Sequence, residues 1–215
     1  MVPLKLGDAV ISAVLLAEVM PRTEWLSAAE LARAERYATE ELRQRFLARR
    51  TALRSFVASL AGLAADSLVP DYSCPDHGRG VDHGRPGFVL GSGEPIPWAL
   101  SSSDSGPWAV FAAHPGISTR LGVDLERIDR VSFAGFDDGV LSAAERLALD
   151  ALPVAERDGF RARCWARKEA LVKAWGSGLR VRPTGIDSTN SGLVDLEPRS
   201  LGLPEEYAVA LAVLR

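Results

Sequence analysis

The order of the predicted secondary-structure elements predicts an α+β protein made of two similar halves in one chain. That order is strand, helices, strands, helices, strands. A helical apolar pattern runs from Ser27 toward Gly62, and a second runs from Pro153 to Gly176, with strand-like segments before, between and after them. Each half is expected to be a sheet with a long helix against it, comprising residues 1–105 and 106–215.

The first predicted element is a buried strand at Val10–Leu16, inside the apolar run Ala9–Val19. This run is too short to span a bilayer. It also lacks the basic lead and the small-residue cleavage site of a secretory signal. We therefore expect a protein that does not enter the membrane.

A capping box is predicted at Ser27 and Glu30, where serine is the N-cap and glutamate follows three residues later. The helical pattern then continues toward Gly62 and is expected to form two helices. One face of this pattern carries the arginines of the segment Arg43–Arg54. This cluster is suited to an anionic ligand or to an acidic partner domain.

Residues 66–97 are rich in proline and glycine and are predicted to form an ordered loop region. Two strands, Trp98–Ser101 and Trp108–Ala112, are expected next, with a turn at residues 105–107. A further strand is expected at Gly122–Glu126. The apolar residues predicted to anchor the loop region are Tyr72, Phe88, Val89, Leu90 and Ile96.

The second half contains another capping box, at Ser142 and Glu145, which predicts the start of a helix. The next and longest helix has Pro153 near its beginning and ends at the glycine-rich residues 176–178. The closing strands are predicted at Val181–Val194 and Tyr207–Leu214.

Composition excludes several functional classes. Of the 215 residues, 47% are apolar and 25% charged, which is typical of a globular protein. The net charge of −3 argues against a binder of duplex nucleic acid. The two cysteines do not suggest a disulfide framework, so a cytoplasmic location is expected.

The strand Gly122–Glu126 carries a pair of carboxylates. Side chains two apart on a strand share a face, so Val123 and Leu125 are expected in the core while Asp124 and Glu126 face outward together. Two adjacent carboxylates repel unless a cation lies between them. Hard oxygens of this kind suit Mg²⁺, although a solvated strand face explains the same alternation.

A helix bearing a second charged pair strengthens the metal hypothesis. Glu169 and Lys173 are four residues apart and lie on one helix face with Trp165. An exposed Glu–Lys pair at this spacing usually forms only a surface salt bridge. Because the flanking helix residues are apolar, we expect this pair to face a ligand, with Glu169 as a third carboxylate and Lys173 on a phosphate oxygen.

These two segments together resemble the 4′-phosphopantetheinyl transferase superfamily. The family carries a Gly-(Val/Ile)-Asp-(Val/Ile/Leu)-Glu strand, matched here by Gly122–Glu126. About forty residues later it carries Trp-x-x-Lys-Glu-Ala-x-x-Lys-Ala-x-Gly-x-Gly-Leu, matched here by Trp165–Leu179. The chain length resembles the pseudo-dimeric, surfactin-synthetase-activating type, which implies two halves related by a pseudo-two-fold axis and a monomer.

The resemblance implies a transferase that moves the phosphopantetheine arm of coenzyme A onto a serine of an acyl or peptidyl carrier protein, leaving 3′,5′-ADP. Asp124, Glu126 and Glu169 would be ligands of Mg²⁺, with Mn²⁺ as an alternative. Lys173 would bind a coenzyme A phosphate, and Lys168 is a further cofactor-binding candidate. The base that takes the serine proton would be Glu145 or a water on the metal, although Glu145 is equally explained by its capping box.

Upstream residues of the first half resemble the border of the family's coenzyme A site. Arg45 and Arg50 match its arginine-rich helix, and Gly84-Arg85-Pro86 matches its Gly-Lys-Pro turn, whose basic residue lies near the 3′-phosphate. Arginine at position 85 keeps the charge and can bind phosphate bidentately.

One departure from the family concerns its Ser-His-Ser segment. This chain reads Leu100-Ser101-Ser102-Ser103-Asp104-Ser105, without histidine. Ser102 or Asp104 stands in its place; Ser102 is preferred because aspartate is ordinary in the following turn. Ser102 and Ser103 are accordingly cofactor-binding candidates.

Two alternatives to the transferase remain open. The missing histidine favours a catalytically silent homologue that binds coenzyme A or a carrier protein, and a Mg²⁺-dependent enzyme on another pyrophosphate substrate is a third reading. Cys74, His77 and His83 suggest zinc, but a structural zinc site takes about four protein ligands, so ordinary loop packing is the expected role.

Overall fold

A computed structural model describes residues 3–74, 76–80, 84–189 and 192–214, except for the side chain of Leu179; His83 lies outside the described residues. No helix in these ranges is long and apolar enough to cross a membrane. The strands are β1 (Leu4–Leu6), β2 (Ala9–Leu15), β3 (Leu68–Pro70), β4 (Tyr72–Cys74), β5 (Gly78–Gly80), β6 (Phe88–Leu90), β7 (Trp98–Ser105), β8 (Trp108–Pro115), β9 (Arg120–Arg127), β10 (Leu193–Leu196) and β11 (Tyr207–Leu214). The helices are α1 (Ala28–Ala34), α2 (Glu40–Ala61), α3 (Phe136–Val140), α4 (Ala143–Asp150) and α5 (Val154–Trp175).

The first sheet has four antiparallel strands in the order β1-β2-β8-β7. The helix α2 covers one of its faces, where Leu53 and Val57 pack near Phe111 of β8 in one core cluster. The hairpin of β7 and β8 crosses the predicted boundary at residue 105, because β8 pairs with both β7 and β2.

The second sheet has three antiparallel strands in the order β10-β11-β9. The helix α5 covers its outer face, and its inner face packs against the first sheet through residues such as Ile11, Val110, Val123 and Leu211. The protein thus has four layers, in the order α2, first sheet, second sheet, α5. A sheet with a long helix against it occurs twice, as expected; a pseudo-two-fold relation between the halves stays a prediction.

Serine hydroxyls join the two sheets along the adjacent edge strands β7 and β9. The Ser101 hydroxyl oxygen accepts from the Val123 N–H at 3.0 Å. The Ser105 hydroxyl oxygen accepts from the Arg127 N–H at 3.2 Å. Because alternate residues of a strand share a face, the serine repeat presents hydroxyls toward β9 at each step.

The predicted helix ends are confirmed. Ser27 and Ser142 both form capping boxes with the glutamate three residues later. The helices α2 and α5 end at Gly62 and Gly176, which adopt left-handed backbone angles with φ of 66° and 70°. Glycine adopts this conformation without a Cβ clash.

Two predicted elements differ from the structure. Within the described residues of the loop region 66–97, four short strands, β3 to β6, form two small antiparallel pairs. The strand predicted at 181–194 is wrong: 3₁₀ turns occupy Gly178–Arg180 and Pro183–Gly185, and β10 begins only at Leu193. Pro183 cannot donate a ladder hydrogen bond, which disfavours a continuous strand there.

Candidate active site

The strand β9 and the helix α5 approach each other so closely that their backbones touch. A Cβ atom at Gly122 would lie 1.8 Å from the carbonyl oxygen of Ala170 and 2.8 Å from the amide nitrogen of Ala174. Only glycine fits at this position. The side chains on the same face of β11 are alanines, Ala208, Ala210 and Ala212, which keep the helix near the sheet.

This close approach places the carboxylates of β9 beneath the charged face of α5. Val123 and Leu125 are fully buried between the two sheets, as predicted. Asp124 and Glu126 alternate with them and lie on the face that carries α5. Asp124 is only 2% exposed, so this face is not a solvated one.

Asp124 is held by two side-chain donors. The Lys173 ammonium lies 2.6 Å from Asp124 Oδ1, and the Ser103 hydroxyl donates to the same oxygen at 2.7 Å. Lys173 also donates to the carbonyl oxygen of Val123. Among the described residues no side chain or backbone group bonds to Asp124 Oδ2, which is buried.

Glu126 and Glu169 complete a group of three interacting carboxylates. Burial and the Asp124 charge raise the pKa of Glu126 to about 7, against the opposing effects of Lys173 and of the Trp165 side chain. Burial and the same Asp124 charge also raise the pKa of Glu169. The group is therefore short of positive charge, because one ammonium, that of Lys173, faces three carboxylates.

These residues fit a hard divalent cation. Within the described ranges, no three His, Cys, Asp or Glu side chains stand close enough together to form a complete metal site. Mg²⁺, however, does not need an all-protein cage, since it keeps several waters and takes oxygens from substrate phosphates. The buried Oδ2 of Asp124 and the raised pKa of Glu126 both indicate carboxylate oxygens that a cation would stabilise.

A cavity of about 510 Å³ opens beside these carboxylates. Glu169 and Lys173 line one part of it, together with the glycines that follow α5, Gly176 and Gly178. Val172 of α5 also lines it, and the remaining wall comes from the first half of the chain: Arg49, Ser73, Cys74, Gly84, Arg85, Pro86, Ser101 and Ser102. The cavity therefore combines Glu169, one of the three candidate metal residues, and Lys173 with the predicted coenzyme A turn.

Arg85 is positioned by a glycine turn packed on β4. A Cβ atom at Gly84 would lie 2.3 Å from the Ser73 carbonyl oxygen, and Gly84 has φ of +99°, so both space and backbone angle require glycine. Arg85 and Ser73 exchange backbone hydrogen bonds of 2.7 and 3.0 Å. The Arg85 guanidinium donates to the Thr119 carbonyl oxygen, and burial lowers its pKa.

The predicted arginines of α2 occupy different environments. Arg45 donates to the carbonyl oxygen of Gly106 and lines none of the cavities that involve the described site residues. Arg50 is 5% exposed, and its guanidinium lies 4.4 Å from the Tyr72 ring centre. It lines a smaller cavity beside the first, together with Arg33 and Arg49.

The two positions that replace the family's histidine are both close to Arg49. Ser102 lines the same two cavities as Arg49. Asp104 forms an ion pair with Arg49 at 2.9 Å. Ser103, a predicted cofactor ligand, is 9% exposed, and its hydroxyl donates a hydrogen bond to the Asp124 carboxylate. In this structure it therefore orients Asp124.

Glu145, a predicted base, and Lys168, a predicted cofactor ligand, form a buried network that does not line the cavity. Lys168 is 0% exposed and donates to Glu145, Val140 and Pro183, with the Glu145 contact at 2.6 Å. Glu145 also accepts from the Ser188 hydroxyl and from the Ser142 N–H. Burial acts to raise its pKa, but the hydrogen bonds from Lys168 and Ser188 outweigh burial and lower it. Neither residue lines the cavity, and a saturated, low-pKa carboxylate is a poor base.

The loop cysteine lies at the cavity wall. Cys74 Sγ is 3.4 Å from His77 Nδ1, and Cys74 lines the main cavity. The third zinc candidate, His83, lies outside the described residues. The contact between Cys74 and His77 is consistent with ordinary packing within the loop.

Two residues of the site, Trp165 and Arg49, could not be assigned a role from the sequence. Helical spacing places Trp165 on the face of Glu169, but its effect on the pKa of Glu126 depends on how α5 crosses β9. Arg49 belongs to the arginine cluster of the segment Arg43–Arg54, and nothing in the local sequence distinguishes it from the other arginines. In the structure Arg49 differs from its neighbours because it forms an ion pair of 2.9 Å with Asp104, which lies 55 positions later in the sequence.

Comparisons with known proteins agree with the resemblance. Residues 120–211 match the family model of the 4′-phosphopantetheinyl transferase superfamily, a segment that includes Asp124, Glu126, Glu169 and Lys173. Over 157 residues the chain is 29% identical to a Synechocystis protein named "putative 4′-phosphopantetheinyl transferase", a match covering 72% of this chain and 58% of that relative. The chain thus spans less than two thirds of the curated relative that it matches. The residues that carry the candidate site are similar to those of the 4′-phosphopantetheinyl transferase superfamily, and the described structure is a mixed α/β fold consistent with it.

Proposed function

We propose that this protein transfers 4′-phosphopantetheine from coenzyme A to a serine of an acyl or peptidyl carrier protein and releases 3′,5′-ADP. The observation that carries the proposal is the cavity of about 510 Å³ in which Glu169 and Lys173 meet the Gly84-Arg85-Pro86 turn. A pyrophosphate bound near Lys173 and a nucleotide phosphate near Arg85 would occupy two parts of one cavity.

Asp124, Glu126 and Glu169 are the residues that would hold Mg²⁺. The bound ion would neutralise pyrophosphate charge, a contribution typical of phosphoryl transfer. Ser103 fixes the orientation of Asp124 through its 2.7 Å hydrogen bond. The Trp165 side chain lies near Glu126 and acts to lower the pKa of its carboxyl group.

Lys173 is proposed to exchange its contact with Asp124 for a phosphate oxygen of the substrate. The Lys173 side chain is 28% exposed and the side chain of Asp124 only 4%, so the ammonium is the accessible member of the pair. A positive charge held near the pyrophosphate stabilises the negative charge that gathers on the leaving 3′,5′-ADP.

The acceptor serine hydroxyl would attack the β-phosphorus of coenzyme A, and the bond from that phosphorus to the oxygen of 3′,5′-ADP would break. Glu169 lines the cavity, so its carboxylate faces the space in which an acceptor serine would bind. We therefore assign the serine proton to a Glu169 carboxylate oxygen. The partners in this reaction would be coenzyme A and an apo-carrier protein. We also propose that the protein acts as a monomer of the surfactin-synthetase-activating type.

The experiment is mass spectrometry of a panel of apo-carrier proteins incubated with the enzyme, coenzyme A and Mg²⁺. One phosphopantetheine should be added per carrier, and EDTA should prevent the addition. Glu169→Ala should abolish transfer while Glu156→Ala, an exposed glutamate of the same helix, should not. Wild-type turnover by both Asp124→Ala and Glu169→Ala would show that the site is wrongly assigned.

The second candidate is a silent homologue that binds coenzyme A or a carrier protein without transfer. The absence of histidine at positions 102 and 104 is the observation that favours it. Coenzyme A binding by calorimetry, combined with no mass gain on any carrier, would support this candidate over the transferase.

A further inference from the structure

Two segments from opposite halves of the chain meet at the rim of the main cavity. In the first half, Cys74 lines the cavity and Asp76 follows it in the turn between β4 and β5. In the second half, Gly178 lines the cavity and begins the 3₁₀ turn Gly178–Arg180 that follows α5. The Arg180 guanidinium forms an ion pair with the Asp76 carboxylate. This ion pair therefore joins the two walls of the cavity.

The ion pair is too weak to hold the fold together. The side chain of Arg180 is 55% exposed and that of Asp76 is 56% exposed. A pair of this exposure favours the joined arrangement by up to about fivefold. The layers of the protein are held by the buried apolar contacts between the sheets and helices. The pair can therefore break and form again while the rest of the protein stays folded.

Both segments have room to move. Gly78 and Gly178 lie two residues from Asp76 and Arg180 and have φ of +73° and +61°, and no atom lies within 4 Å of a Cβ atom built at either glycine. Loop residues of this kind absorb the backbone changes of a hinge motion. Beyond Arg180 the chain is fixed again at Pro183, whose carbonyl oxygen accepts from Lys168 at 2.9 Å. The movable part after α5 is thus a short strap.

We propose that Asp76 and Arg180 form a latch that closes the main cavity, and that the latch opens when the ligand of the cavity enters or leaves. The identity of that ligand, coenzyme A or 3′,5′-ADP, rests on the proposed function, whereas the latch rests on contacts within this chain. A closed latch slows the escape of the ligand and limits the access of water to the reacting phosphates.

Another exposed ion pair provides the comparison. Arg199 and Glu205 form a pair whose side chains are 72% and 67% exposed. Both residues belong to the second half of the chain, and neither lines the main cavity. Loss of this pair removes a similar contact without joining or separating the cavity walls, so Arg199→Gln is the matched control.

Cys74 provides a probe of the latch that needs no ligand. It lines the cavity, whereas Cys164, the other cysteine, is 2% exposed. The test measures how fast the uncharged reagent N-ethylmaleimide modifies Cys74, followed by intact-mass spectrometry, with Cys74→Ser to identify the signal. Arg180→Gln should raise this rate by up to about fivefold. Loss of a nearby positive charge would by itself slow the reaction, because the thiolate is the nucleophile, so a faster reaction reports access.

The partner residue and a charge exchange complete the labelling test. Asp76→Asn should also raise the rate, and the double variant Asp76→Arg with Arg180→Asp should return it toward that of wild type. Arg199→Gln should react like wild type. Thermal melting verifies that each variant is folded. Unchanged or slower labelling of Arg180→Gln would overturn the latch, and so would a double variant that reacts as fast as the single ones.

The role of the latch in ligand passage is measured by stopped-flow dissociation of coenzyme A. Arg180→Gln should release coenzyme A about two- to fivefold faster than wild type and Arg199→Gln do. Equal dissociation rates would overturn this role. Saturating coenzyme A should also protect Cys74 of the wild type from the reagent. If coenzyme A neither binds nor protects while the variants label as expected, the proposed function fails and the latch stands.

Discussion

Gly122 of β9 lies against Ala170 of α5 with no room for a side chain: a Cβ at Gly122 would be 1.8 Å from the Ala170 carbonyl oxygen. This contact sets the spacing between the strand that carries Asp124 and the helix that carries Glu169 and Lys173. The glycine of the strand motif is therefore part of the geometry of the site.

Gly122→Ala should separate β9 from α5 and destabilise the protein by about 3 kcal/mol or more, because backbone atoms must move. It should also lower transfer activity in the fraction that remains folded. Gly139→Ala is the control: no atom lies within 4 Å of a Cβ there, and Gly139 is helical, so stability should be unchanged or slightly raised. Urea unfolding of both variants provides the measurement, and equal stabilities would contradict the close approach.

Glu126 should make the metal-free protein less stable as the pH rises. Its pKa is about 7 in the folded protein against an ordinary value of 4.5. A raised folded-state pKa gives a contribution that is fully present below about pH 4.5 and is lost as the pH rises through about 7. In EDTA, wild type should therefore lose more stability between pH 5 and pH 8 than Glu126→Gln does. Parallel melting curves of the two proteins across this range would show that Glu126 titrates normally.

Lys168 should prove to be structural. Lys168→Met would leave Glu145 buried without its cationic partner, a change that typically costs about 3–5 kcal/mol. Adding Glu145→Gln to this variant should restore part of the loss, because the remaining charge is removed. Arg167→Met, which breaks the half-exposed pair with Asp195, should cost about 1 kcal/mol or less.

The KM for coenzyme A distinguishes a structural role of Lys168 from a role in binding the cofactor. Under conditions where Lys168→Met is folded, this KM should match that of wild type. A large rise in KM with unchanged stability would restore Lys168 as a cofactor ligand.

Arg85→Ala should raise the KM for coenzyme A by about one to two powers of ten, as expected for the loss of a charge-assisted hydrogen bond. Dephospho-coenzyme A, which lacks the 3′-phosphate, should be nearly unaffected. Steady-state transfer rates with the two substrates provide the comparison. Equal effects on both would assign Arg85 to the pyrophosphate, or to the fold through its hydrogen bond to Thr119.

Histidine substitutions test which residue stands in the place of the family's histidine. Ser102→His should lower the KM for coenzyme A or leave it unchanged if position 102 is the equivalent one. Asp104→His should do so if position 104 is equivalent, and it also frees Arg49 from its carboxylate partner. A rise in KM for both variants would contradict both alignments.

Local periodicity predicted many of the helices and strands and the faces of the candidate site residues, while the resemblance to a known family supplied the roles proposed for those residues. Alternation along β9 placed Asp124 and Glu126 on one face, and helical spacing placed Glu169 and Lys173 on another, because both patterns depend on backbone geometry within a few residues. The same is true of the capping boxes and of the glycines that end α2 and α5, all of which the structure contains. The small strands of residues 66–97 could not be predicted in this way. β3 pairs with β6 across the intervening residues 71–87, and β4 and β5 are a local pair whose strands of three residues are too short to show a clear alternation.

Packing between distant segments decided which charged residues meet. Lys168 and Glu169 are adjacent in the sequence, but they are about 100° apart around the helix, so one lies against Glu145 and the other faces the cavity. Arg49 is distinguished from Arg45 by Asp104, which only the docking of α2 on β7 brings within 2.9 Å. The sequence by itself determined the donors and acceptors and their local faces. The tertiary structure decided their partners, because electrostatic contacts depend on distances that arise only when the layers pack.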